Sequence, residues 1–203
     1  MTIGPGTPWS APGLLPENAP VFDGDQALST ALAAARAAEA TPPVIGLTGG
    51  TLWTTLGGLS VPGRLHTAEA RRYPVDLGVV VADGVTHLFV GSVVARQRCW
   101  RDAVAVMNTP FLGRLRMAPR AHPGDALLDI IEAQSLSLDD IRRIVPRLRH
   151  GTHLPHPKLR ERRMASASWT FDRPRALLVD GRRMGRVTEM SVRLEPDAVT
   201  VVV

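Results

Sequence analysis

Cysteine, lysine and aromatic side chains are nearly absent from this chain of 203 residues. Cys99 is its only cysteine, which excludes an intramolecular disulfide and a cysteine-rich metal site. The residue lies beside Trp100 after an apolar run, a setting that predicts a buried thiol rather than a nucleophile. Aromatic residues make up 4% of the chain, too few for a base-stacking platform. There is no zinc-finger, helix-turn-helix or aromatic RNA-binding motif, so nucleic acid is not an expected partner. None of the six histidines has metal-ligand spacing. No apolar stretch approaches the length that spans a bilayer, and the N-terminus has neither a basic start nor an apolar core. The expectation is a cytoplasmic protein, with peripheral contact to the inner membrane face as an option.

What is present is unevenly distributed. Residues 1–60 carry one basic side chain, Arg36, against Glu17, Asp23, Asp25 and Glu39. The whole chain is +5, so the rest is strongly basic, almost entirely through arginine. Such a balance favours anionic lipid, phosphorylated ligands or nucleic acid. Gly and Pro crowd the opening stretch, which predicts that residues 1–20 are disordered or extended.

Residues 26–39, QALSTALAAARAAE, form a strong helix candidate, with Asp23 or Asp25 placed to cap it and Pro42-Pro43 to end it. A short buried strand follows at 44–47, then the turn Thr48-Gly49-Gly50-Thr51 and a second helix near 52–57. Together they read as a partial α/β portion over 21–64. Residues 58–75 read as connector. From Asp76 the pattern turns to short strands with hairpin signals at Asp83-Gly84 and Asp180-Gly181. One helix interrupts them, starting after Ser137 with Asp140 as capping-box partner. Its apolar stripe is Ile141, Ile144, Val145 and Leu148, and Pro146 within it should bend or shorten it. The expected fold is α+β: an α/β fragment followed by a mainly antiparallel β-sandwich-like domain over 70–203.

Four segments in order carry a resemblance. These are NTPFLGRLRMAPRAHPGDALLD at 108–129, LRHGTHLPHPKL at 148–159, ALLVDGRRMG at 176–185, and the closing LEPDAVTVVV. They resemble the C-terminal domain of the diacylglycerol and sphingosine kinase-type lipid kinases, a family distantly related to NAD kinases. The N-terminal nucleotide-binding half is similar only in part. VFDGDQAL at 21–28 stands where the family has Gly-Gly-Asp-Gly-Thr, and Gly50-Thr51 where it has Gly-Thr-x-Asn-Asp. Gln26, Ala27, Trp53 and Thr54 depart from those patterns. The family's first strand and helix have no counterpart.

The resemblance implies transfer of the ATP γ-phosphoryl group to a lipid hydroxyl with Mg²⁺, chemistry that rests on positioning and charge neutralisation. It implies Asp180 as general base and Asp25, Gly50 and Thr51 at the nucleotide. Asp125 and Asp129 fall to an acidic, metal-linked network. Arg182 replaces the Glu of the family's Asp-Gly-Glu, a reversal of charge where Mg²⁺ would be held. Three readings therefore stand: a lipid kinase, a non-catalytic (pseudokinase) relative serving as a binding or partner subunit, and a basic protein binding phospho-ligands or nucleic acid. Bland readings also exist, since Asp180-Gly181 is equally a hairpin turn, Asp125 a loop residue, Asp129 a loop-capping side chain and His153 a packed histidine.

Two partner expectations follow. A missing first strand leaves an exposed N-terminal sheet edge, to be covered by a homodimer or another protein. Residues 142–163 carry seven arginines and Lys158 against Glu161, a stretch suited to an anionic membrane.

Overall fold

The computed structural model describes residues 9–40 and 44–203. The N-terminal portion contains β1 (Ala11–Pro12), β2 (Val21–Asp23), α1 (Asp25–Ala37), β3 (Ile45–Gly49) and α2 (Gly50–Thr55). Then come β4 (Arg71–Ala82), β5 (Val85–Phe89), β6 (Ser92–Arg96), β7 (Ala103–Met107), β8 (Phe111–Leu112), β9 (Leu115–Arg116) and β10 (Leu128–Ala133). The chain closes with α3 (Leu138–Leu148), β11 (Leu159–Met164), β12 (Ser166–Val179) and β13 (Arg182–Val202).

Among the described residues eleven strands form one branched sheet, with main order β1-β4-β13-β12-β6-β7-β10-β11. It is antiparallel except where β3 runs parallel to β13 and β2 runs parallel to β3. The predicted mainly antiparallel, sandwich-like fold is therefore present. Long β13 pairs with β12 through its first half and with β4 through its second, so one strand serves both parts of the molecule.

Strand alternation distributes the core. On β4, Val80 and Ala82 enter the sandwich interior with Phe89, Val93, Val106, Ile130 and Met190. Val75, Leu77 and Val79 point the other way, toward Leu28 and Leu32 of α1 and Leu52 of α2. On the far side, Ala105 and Ile131 meet Ile144 and Leu148 of α3. Three apolar clusters thus share one sheet, and each helix shields a face that water would otherwise reach.

Several local expectations are revised. Strand β4 begins at Arg71, inside the supposed connector, because its first residues pair with Val199–Val202. Helix α2 begins at Gly50 rather than residue 52. Cys99 is exposed, not buried: it sits at φ 59° in the tight turn between β6 and β7, which carries its side chain off the sheet. Of the stretch 1–20 expected to be disordered or extended, residues 1–8 lie outside the described residues, and 9–20 are held through the Trp9 Nε1 bond to the Pro74 carbonyl and burial of Leu15. The Pro42-Pro43 stop lies outside the described residues.

The α3 reading stands. Ser137 and Asp140 form a reciprocal capping box, and the helix runs through Pro146 to Leu148. Among the described residues β2 pairs with β3 alone, so the N-terminal portion ends in a three-residue edge strand.

Candidate active site

Asp180 and Gly181 form the turn between β12 and β13, with φ of 46° and 80°. Both positive values match a two-residue hairpin turn, as the dipeptide predicts. The turn also turns the carboxylate inward. Asp180 Oδ2 accepts from the Val90 amide at 3.0 Å, and Oδ1 accepts from the amides of Gly91 and Ser92 at 2.9 Å each. Burial, and then the charge of Asp25, push this carboxyl up from 3.8 to about 6 despite those three bonds. One residue therefore both makes the hairpin turn and presents an inward-facing carboxylate.

Asp25 does not cap its own helix, contrary to expectation; among the described residues no side chain caps α1. As the first residue of α1, it reaches across to the next helix instead. Its Oδ2 accepts from Thr51 N at 2.7 Å and Thr51 Oγ1 at 2.6 Å, and its Oδ1 accepts from Leu52 N at 3.0 Å. The carboxylate thus satisfies free amides at the start of α2. Gly50 makes this approach possible, because a Cβ there would meet Asp25 Oδ1 at 2.4 Å. Its φ of 93° also favours glycine.

These groups converge at Gly91. A Cβ on Gly91 would lie 2.8 Å from Thr51 Oγ1, 3.1 Å from Asp25 Oδ2 and 3.2 Å from Asp180 Oδ1. Thr51 Oγ1 also lies 3.0 Å from Thr109 Oγ1. Buried Asn108 fixes the surrounding backbone by donating through Nδ2 to the carbonyls of Asp76 and Val90, 2.9 Å each. The structure therefore brings Asp180, Asp25, Gly50 and Thr51 together.

Asp125 and Asp129 belong to a different constellation. Both pair with Arg163, which contacts Asp125 through a terminal nitrogen and Asp129 Oδ2 through Nε at 3.4 Å. Asp129 is fully buried, and burial raises its carboxyl to about 6 against the pull of Arg163. Asp76 is also buried, accepting from the amides of Ala126 at 2.8 Å and Asp197 at 3.0 Å, and burial raises it likewise to about 6. This cluster fastens the 122–129 loop to β4 and β11. Among the described residues no three His, Cys, Asp or Glu side chains are placed to hold a metal ion.

Residues 67–203 match the family model of the YegS C-terminal NAD kinase beta sandwich-like domain. The chain belongs to this family. Its fold is that of diacylglycerol kinase-like proteins. A candidate diacylglycerol kinase from Bacillus anthracis strain Sterne superposes with a TM-score of 0.64 at 14% identity, covering 89% of this chain and 76% of that one. A structure of a diacylglycerol kinase from the same strain gives a TM-score of 0.51 at 16% identity, covering 78% of this chain and 66% of that one. No curated protein matches the chain.

Within this YegS-type domain, the sequence reading missed Gly91 and Thr109 at the site. The only local signal was a polar Asn108-Thr109 pair ending an apolar strand. It also missed an apolar cavity of about 160 Å³ beneath α3, lined by residues including Trp100, Leu115, Met117, Ile131 and Ile144. His153 lines this cavity, 1% exposed, and burial lowers its basicity, in keeping with a packed histidine. The segment from Thr109 to Met117 runs from the carboxylate site to the cavity wall. Arg182 lines a groove with Gln26 and Thr30 of α1 and His87.

Proposed function

We propose that this chain is a diacylglycerol kinase-like phosphotransferase acting on a lipid hydroxyl. The observation that carries this reading is Asp180, a carboxylate raised to about 6 by burial and by Asp25 in a site that also gathers Thr51 and Thr109. A base with that affinity holds a proton weakly enough to release it again, yet strongly enough to take one from an alcohol as a bond forms. Asp180 would accept the hydroxyl proton while the lipid oxygen bonds to phosphorus and the bond to the leaving nucleotide breaks. The apolar cavity under α3 suits an acyl chain, and the Thr109–Met117 segment connects the two regions.

Mg²⁺ commonly needs only one or two protein carboxylates, with phosphate oxygens and waters completing its shell. Asp25, with acceptor capacity beyond its three hydrogen bonds, would supply one such carboxylate and leave Asp180 to take the proton. With ATP bound, the ion would neutralise phosphate charge. The protein's own part is to keep two carboxylates adjacent and to keep Asp180 in reach of the hydroxyl.

A second reading has an observation of its own. The amides of Thr51 and Leu52, which open α2 at the glycine turn, are already taken by Asp25. A phosphate needing those donors would have to displace it, which favours a non-catalytic relative. Radiolabelled ATP with Mg²⁺ and diacylglycerol separates the two. Transfer by the native chain and none by Asp180→Asn supports the kinase. Absence of transfer, together with no rise in Tm on adding ATP and Mg²⁺, selects the non-catalytic reading.

A further inference from the structure

The outer face of β6, β12 and β13 carries a groove of about 400 Å³ whose lining includes five arginines: Arg96, Arg98, Arg173, Arg183 and Arg186. No acidic side chain among the described residues lines it. Among the described residues none of the five has a carboxylate within ion-pair distance. Elsewhere the molecule does pair its arginines, as at Arg162 with Glu132 and Arg163 with Asp125.

The backbone assembles this group. Arg96 on β6 and Arg186 on β13 are both register partners of Ala176 on β12, one from each side. Arg183 partners Leu178 on the same face. Residues 183 and 186 are three apart and would ordinarily face opposite ways. A bulge between Leu177 and Leu178, where Met184 is the extra residue and Gly185 takes φ 118°, returns both to one face. Small Ala176 leaves the floor low between two long guanidinium arms.

Arg96 is held firmly, its guanidinium 5.0 Å from the Trp100 ring centroid. Among the described residues its buried Nε has no hydrogen-bond partner. Arg186 spends a terminal nitrogen on the Pro174 carbonyl at 2.8 Å. Five guanidinium groups in one concavity repel one another, and a buried N–H lacks an acceptor. One ligand chemistry answers both conditions, an anion with several oxygens.

We infer that this groove is a binding site for a compact phosphate-bearing anion, separate from the carboxylate site around Asp180. A free phosphoanhydride and a phospholipid headgroup share that chemistry, and the concavity receives either.

The test is calorimetric titration of the full chain with inorganic pyrophosphate at physiological salt, beside sedimentation with phosphatidylglycerol vesicles. The variant Arg96→Gln/Arg183→Gln/Arg186→Gln is compared with Arg142→Gln/Arg143→Gln/Arg147→Gln, which removes equal charge elsewhere. Circular dichroism confirms that both fold. The expected result is that the groove variant weakens pyrophosphate binding at least tenfold, while the α3 variant and Asp180→Asn retain it. Vesicle binding without pyrophosphate binding, lost in the groove variant, assigns the site to a lipid headgroup instead. Binding of neither probe, or equal losses of pyrophosphate binding in the groove and α3 variants, overturns the site.

Discussion

Replacing Asp180 with Asn keeps the shape of the side chain and removes its charge, and the consequence for stability should reverse with pH. The native carboxyl titrates at about 6 rather than 3.8. Between those values the folded protein binds the proton more tightly than the unfolded chain does. The stability this confers is complete below pH 3.8 and is lost as pH rises through 6. About two units at 1.36 kcal/mol each make the loss ~3 kcal/mol. Asn escapes that loss, but its amide nitrogen cannot accept. Its oxygen can serve Gly91 and Ser92, while the Val90 amide meets a second donor. An unpaired buried donor costs about 1–3 kcal/mol at every pH. Asp180→Asn should therefore be less stable than the native chain near pH 4 and equal to it or more stable near pH 7.5. Urea unfolding followed by tryptophan fluorescence across this range measures the difference. A difference that stays constant with pH, or that moves against the variant as pH rises, would refute the burial and charge argument for Asp180.

Two further outcomes are expected. Gly91→Ala should lower stability by about 1–3 kcal/mol, since its Cβ would press to 2.8 Å from Thr51 Oγ1; an unchanged urea midpoint would contradict that close approach. The basic stretch should bind anionic vesicles more weakly than its charge count implies, because Lys158, Arg162 and Arg163 already pair with Asp140, Glu132 and Asp125. Exposed arginines near an anionic surface contribute about 1 kcal/mol each. Arg142→Gln/Arg143→Gln/Arg147→Gln should therefore release the protein from phosphatidylglycerol vesicles at low salt, as read by sedimentation, and full retention would count against membrane contact through α3.

Much of this architecture was legible because local signals agreed with the global fold. The two Asp-Gly turns, the Ser137–Asp140 capping box and the alternating apolar strands each have a short-range cause. Asp25, Gly50 and Thr51 were legible as one site only through family resemblance, since 25 residues separate the first two along the chain. Contacts made at long range escaped. A carboxylate at the start of α1 looks like that helix's own cap, yet it serves α2 because β2 and β3 lie side by side. Gly91 carries no side chain to signal its role, and the five-arginine groove depends on a bulge that no local pattern announces. Cys99 was misjudged because its apolar surroundings belong to the adjoining strands, not to the turn that holds it.

The length of β13 has a consequence for how the molecule comes into being. Its final residues, Val201 and Val202, supply the parallel partner of β3, and Val199–Val202 pair with the beginning of β4. These segments emerge from the ribosome long before Val199 is synthesised. Throughout that interval β2 and β5 can pair with one edge of β3 and β4, but the edges that β13 will occupy have no mate. The N-terminal portion therefore cannot finish folding as it is made, and nascent chains should be captured by general chaperones until translation reaches the last strand.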